Sequence, residues 1–131
     1  MKISTKGRYG LRAMLALVRD GRELVSLSTI AQKENLSLNY LESIFSQMKR
    51  AGLVVGVTGA QGGYRLARPA SQISVYDVLQ ALEGSLSVTQ SESESDMTPL
   101  RRYLTDCVWN VIDEKVEQIF RSMTLLELAN A

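Results

Sequence analysis

The stretch from Leu53 to Ala67 admits few folds. Leu53-Val54-Val55-Gly56-Val57 and Tyr64-Arg65-Leu66-Ala67 read as short strands. Between them lies Thr58-Gly59-Ala60-Gln61-Gly62-Gly63. Glycines release the backbone for positive φ, so the segment predicts a β-hairpin. The chain before it is helical in period. Leu11, Met14, Leu15 and Val18 repeat at i, i+3, i+4 and i+7, which predicts an amphipathic helix ending near Asp20-Gly21. Ile30 and Ala31 mark a shorter helix, with Ser26 or Ser28 as N-cap, ending at Asn35. Ser37 starts a third helix, whose buried face is Leu41, Ile44, Phe45 and Met48. Lys49 and Arg50 suit the dipole of its last turn, and Gly52 follows as the C′ residue. Two short helices joined by Asn35-Leu36-Ser37 outline a helix-turn-helix. With the hairpin after it, the expected fold is a winged helix, mainly α with a small β-hairpin.

Ser74 caps a further helix through Val75, Val78, Leu79 and Leu82, which ends at Glu83-Gly84. Thr89 to Asp96 is polar and acidic, and predicts a mobile loop. Pro99 opens a long final helix with an apolar stripe of Leu104, Val108, Ile112, Val116, Ile119 and Met123. So small a domain leaves that stripe little to cover, so a second copy of the same helix is its expected partner in a two-fold homodimer. Thr124 caps a last short turn. The expected organisation is a winged-helix unit over 1–84, a flexible acidic loop over 85–98, and a dimerisation helix with its C-terminal turn over 99–131.

The net charge of +1 conceals two unlike halves. Met1 to Arg68 holds 11 Lys/Arg and 4 Asp/Glu, a balance of +7, and Pro69 to Ala131 holds 4 and 10, a balance of −6. Such asymmetry points to one half that faces nucleic acid. One cysteine and no histidine exclude an internal disulfide, a Cys/His zinc site and histidine-based catalysis. No nucleophile–base pair or phosphate loop is present, so no enzyme activity is expected. No apolar run is long enough to span a bilayer, and the start is unlike a signal peptide, which predicts a cytoplasmic protein with no membrane contact.

A recognition helix enters the major groove and meets base edges near its N-terminus. Leu38, Asn39, Tyr40, Glu42, Ser43, Ser46 and Gln47 are left facing outward after Ser37. Asn39 suits adenine, Glu42 suits the cytosine amino group, and Ser43 serves several bases. Tyr40, Lys49 and Arg50 suit phosphates. Lys2, Ser4, Thr5, Lys6, Arg8 and Tyr9 form a basic, hydroxyl-rich terminus able to clamp the DNA backbone. In the wing, Thr58, Gln61, Gly62, Gly63 and Tyr64 are the candidate contacts, with Gln61 aimed at the minor groove. The plain alternatives are a solvated helix face for the third helix, a frayed basic terminus for the first residues, and a tight turn for the wing.

Four separated motifs carry a resemblance. They are Met1 to Gly10, Leu36-Ser37-Leu38-Asn39-Tyr40-Leu41-Glu42, Ala51-Gly52-Leu53-Val54, and the wing from Gly59 to Leu66. Together with Met123 to Leu128 they resemble the IscR/NsrR/CymR superfamily of bacterial winged-helix transcription regulators. The resemblance implies a homodimer with crossed long helices on a partly palindromic operator. Many members carry an iron–sulfur cluster on three cysteines, but the interval from Ser85 to Arg102 holds none. Tyr103 falls where the last cysteine would be and Asp106 where a histidine would be. The expectation is therefore no cofactor and no metal, as in the cluster-free CymR-like branch. That branch implies a repressor of cysteine metabolism, with a cysteine-biosynthesis enzyme as partner. Related wings often place arginine where this chain has Thr58, which also leaves open a winged helix that serves as a protein-interaction module. Cys107 reads first as a small buried hydrophobe beside the stripe. The alternative is a redox-sensing thiol, with Arg101 and Arg102 as the only nearby cations.

Overall fold

The computed structural model describes residues 2–87 and 97–131. In chain order it holds α1 (Thr5–Asp20), α2 (Leu27–Glu34), α3 (Leu38–Arg50), β1 (Val54–Val57), β2 (Gly63–Leu66) and a 3-10 turn (Ala70–Gln72). Then follow α4 (Val75–Glu83), α5 (Pro99–Leu104), a π-helical turn (Thr105–Trp109), α6 (Asn110–Ser122) and α7 (Leu125–Ala129). The acidic stretch Thr89 to Asp96 lies outside the described residues.

Polar caps set the helix starts. Ser4, Ser26, Ser37, Ser74, Thr98 and Thr124 each accept a backbone N–H from the first turn of α1, α2, α3, α4, α5 and α7. At α4 the cap is reciprocal, because Asp77 accepts the backbone N–H of Ser74 in return. Asn35 ends α2 at φ 54°, the left-handed geometry that turns the chain sharply into α3.

Leu41, Ile44, Phe45 and Met48 of α3 are fully buried. Around them pack Met14 and Leu17 of α1, Ile30 of α2, Val54 of β1, and Val78 and Leu82 of α4. On α1 the deepest positions are Ala13, Met14 and Leu17, while Leu11, Leu15 and Val18 are only half-buried. The expected stripe is thus shifted, because α1 is packed by α2 and α3 on one side and by α4 and α7 on another. The hairpin pairs Val54 with Leu66 and Val57 with Gly63. Val25 adds a third backbone segment, donating to and accepting from Tyr64 at 3.0 and 2.8 Å.

The C-terminal turn, read from sequence as part of the arm, returns to the winged-helix body. Val75 N–H donates to Met123 at 2.8 Å, Leu125 N–H donates to Ile73 at 2.9 Å, and the Leu125 side chain is fully buried. The long helix is not uniform. Asn110 N–H bonds to the carbonyl of Thr105, an i→i+5 bond that encloses one residue more than an α turn. That extra residue re-phases the stripe. Leu104 and Val116 are 12 residues apart, about 120° out of phase in a regular α-helix at about 100° per residue. With one residue absorbed they fall within about 20°. The π turn also corrects the reading of Cys107, which is exposed rather than buried.

Below the π turn, α6 has two faces. Glu117 and Arg121 face their own domain, where the guanidinium of Arg121 lies 3.9 Å from the ring centroid of Tyr76. Burial, then the Glu117 carboxylate, pushes the Tyr76 phenol up from its usual pKa. Ile112 and Ile119 lie on the other face and are 37% and 58% exposed, with Val111 and Trp109 exposed nearby. Val116, Leu104, Val108 and Met123 are half-buried.

Candidate nucleic-acid interface

The first surface is the outer side of α3. Ser37, Leu38, Asn39, Glu42, Ser43 and Ser46 are exposed there, on a helix whose opposite side is the centre of the core. A base-reading helix needs that rigidity, because a hydrogen bond to a base edge fails when displaced by an ångström. The Ser37 hydroxyl accepts Tyr40 N–H at 3.3 Å, which leaves its own O–H to donate to a phosphate. Leu38 is 41% exposed at the helix start, an apolar contact suited to a thymine methyl. Gln47 is half-buried, and its Oε1 has no hydrogen-bond partner among the described residues.

The second surface is the start of α1. Lys2, Ser4, Thr5 and Arg8 are exposed and Lys6 is half-buried. Tyr9 crosses to the recognition helix, its ring edge-on to Tyr40 with centroids 5.9 Å apart. Arg12 lies 5.2 Å over the Tyr9 ring and pairs with Glu34 at 3.1 Å. The two phenols therefore join the basic terminus to α3. Arg12 did not stand out in the sequence, since its ionic partner Glu34 comes from α2, 22 positions on.

The third surface is the wing. Lys49, Ser26, Leu27, Thr58, Gly59 and Gly62 line a cleft of about 410 Å³ between α2, α3 and the hairpin. Ser26 had been legible only as a cap. Arg50, exposed at the end of α3, does not line that cleft. Thr58 and Gln61 are exposed. Gly62 and Gly63 have a structural reason as well. A Cβ at Gly62 would collide with the Val57 carbonyl, and one at Gly63 would stand 2.7 Å from the Val25 carbonyl. Tyr64 turns its ring inward, 5.0 Å from Phe45 and edge-on to it. Its ring props the wing against the core, and the residue also lines the cleft beside Lys49 and Thr58.

A polar brace sets the hinge between α1 and α2. The Asp20 side chain is buried and receives Arg22 at 2.6 Å and Lys33 at 2.8 Å. The hydrogen bonds from Arg22 first, then Lys33, hold its carboxyl well below the usual range.

The family model for Rrf2, described as an iron-dependent transcriptional regulator, matches residues 3–131. This chain belongs to the Rrf2 family. It is similar to the HTH-type transcriptional regulator IscR of Vibrio atlanticus, at 36% identity over 98% of this chain and 75% of that protein. Among solved structures it is similar to CymR, the global cysteine regulator of B. subtilis, with a TM-score of 0.81 and 41% identity. That match covers 99% of this chain and 97% of the other. T. potens IscR gives a TM-score of 0.76 and 39% identity, over 99% and 87% of the two chains. The winged helix is accordingly that of a DNA-binding transcriptional regulator. Among the described residues no helix is long and apolar enough to cross a membrane.

The Rrf2 description raises iron, and the donor set answers poorly. Clusters are held by several thiolates, with histidine in some types. This chain offers one cysteine and no histidine, and Cys107 lies on the exposed side of the π turn. Two copies would bring two thiolates together at most. The residues present do not fit an iron–sulfur cluster.

Proposed function

We propose that this Rrf2 protein is a cluster-free homodimer that represses transcription at a partly palindromic operator, in the control of cysteine metabolism. The observation that carries the DNA reading is the exposed polar face of α3, with Asn39, Glu42 and Ser43 outward on a helix buried along its other side. Base discrimination falls to those three residues. Backbone contacts fall to Lys2, Thr5, Lys6, Arg8, Ser37, Tyr40, Lys49 and Arg50, with the wing bracing the sugar–phosphate edge. The exposed Ile112 and Ile119 support pairing through α6, since an isolated helix face of this kind is left to a partner. The likeness to the CymR structures supports the cysteine assignment, and co-purification tests the enzyme partner that the resemblance implies.

Gel shifts over a salt series with promoter fragments test the DNA reading. Glu42→Ala changes which sequences are bound, whereas Lys6→Ala with Arg8→Ala weakens all sequences alike. Equal weak binding to every fragment would refute sequence-specific regulation. Protein purified without oxygen is expected to be colourless and free of stoichiometric iron, and a visible charge-transfer band would overturn the cluster-free assignment. The exposure of Cys107 favours a second reading, a thiol that reports oxidation. On that reading peroxide alters DNA binding by the native chain and not by Cys107→Ser, and equal responses would refute it.

A further inference from the structure

Glu83, the last residue of α4, is joined to the first residues of α1. The backbone N–H of Ser4 donates to Glu83 Oε1 at 2.9 Å, and the Ser4 hydroxyl donates to the same oxygen at 2.5 Å. The Ser4 oxygen meanwhile accepts Gly7 N–H at 3.2 Å. The contact is built to be close. A Cβ at Gly7 would collide with Glu83 Oε1, and one at Gly10 would collide with Leu82 Cδ1. Glycine three residues apart on α1 thus lets the end of α4 sit against its backbone. The carboxylate also faces the positive end of the α1 dipole. Nothing in the core requires an acid there. Glu83 is half-buried at a helix end, and an alanine in its place would leave the packing of Val78 and Leu82 in place.

The segment so held carries Lys2, and Lys6 and Arg8 follow it in the first turn of α1. An acid this close to cations that face DNA ought to hinder binding by simple charge. Its hydrogen bonds act in the opposite sense, since they fix the direction in which the segment leaves α1. We infer that Glu83 is a positioning residue for DNA binding. Its carboxylate clamps Ser4, so that the basic terminus is presented in one orientation and the entropy of ordering it is met before DNA arrives. The inference rests on the reading that Lys2, together with Lys6 and Arg8, meets phosphates.

The two explanations of Glu83 predict opposite signs. Binding to a generic duplex is measured by anisotropy over a salt series, with melting temperatures in parallel. Lys6→Ala with Arg8→Ala lowers the salt slope by about two per protomer. Glu83→Ala lowers it by about one and weakens binding roughly threefold to tenfold, although it removes a negative charge. Glu83→Gln keeps the acceptor oxygen and restores the slope. Gly7→Ala displaces the carboxylate and weakens binding in the same way, yet does not lower the melting temperature, because alanine is the better helix former. Those last two variants carry the test should Glu83→Ala fold poorly. Tighter binding by Glu83→Ala with an unchanged slope, beside a lowered slope in the Lys6/Arg8 variant, overturns the positioning role alone. An unchanged slope in the Lys6/Arg8 variant overturns the phosphate reading, and this inference with it.

Discussion

The π turn at Thr105–Trp109 makes a prediction that separates it from an ordinary helix irregularity. If its role is to absorb one residue, then removing one residue there is harmless. Asp106 is exposed, so its deletion discards no buried contact. The turn closes to i→i+4 bonds, and Leu104 and Val116 become 11 residues apart, still within about 20°. Inserting one alanine after Trp109 does the reverse. It rotates Ile112, Val116, Ile119 and Met123 by about 100° relative to Leu104 and Val108. In the proposed dimer, if each of those four side chains loses only about 1 kcal/mol of partner burial, two protomers lose on the order of 8 kcal/mol. Even half of that weakens association about a thousandfold. Sedimentation at micromolar concentration reads the result directly. The deletion variant stays dimeric and melts no lower than the native chain, while the insertion variant runs as a monomer. A monomeric deletion variant beside a dimeric insertion variant would refute the phase argument outright.

Two further outcomes follow from the body of the domain. Phe45 is fully buried and meets Tyr64 edge-on, so Phe45→Ala costs about 3–5 kcal/mol in denaturant unfolding and loosens the wing with it; a cost below about 1 kcal/mol would mean that the core closes over the gap. The Asp20 carboxyl is held below its unfolded-chain value, so it stabilises the fold above about pH 4, and that contribution is lost as the pH falls further. Asp20→Asn therefore lowers stability at neutral pH and flattens its decline in acid, measured by thermal melts from neutral pH downward, and an unchanged acid slope would contradict the assignment.

What could be read from the residues alone was local. Ser26, Ser37 and Ser74 cap the helices they appeared to cap, and Asn35 turns the chain between the two helices of the motif. These depend on neighbours within a few residues. The face of α3 was equally legible, since its apolar period is set within one element. The features that were missed depend on distant partners. Nothing near Tyr64 in the chain shows that Val25 and Phe45 lie beside it. The bond of Ser4 to Glu83 spans 79 positions in the chain and leaves no trace in spacing. The burial of Leu125 was not legible, because nothing nearby says that Ile73 waits for it. The π turn is an intermediate case. Leu104, Val108, Ile112 and Val116 recur every four residues, which already exceeds the α period by about 0.4 at each step. That surplus must be absorbed somewhere, and the sequence did not say where.

The return of the chain at Met123 to Leu125 has a mechanical consequence. A helix fixed at one end is a lever and can swing. Here the arm is sewn back at its far end, where Met123 and Leu125 bond to Val75 and Ile73, and Arg121 over Tyr76 holds it just before that stitch. A helix fastened there delivers its load to one place, the start of α4. A ligand or second subunit that loads the arm therefore works on α4 at Ile73 to Tyr76, and α4 packs against α1 and α3.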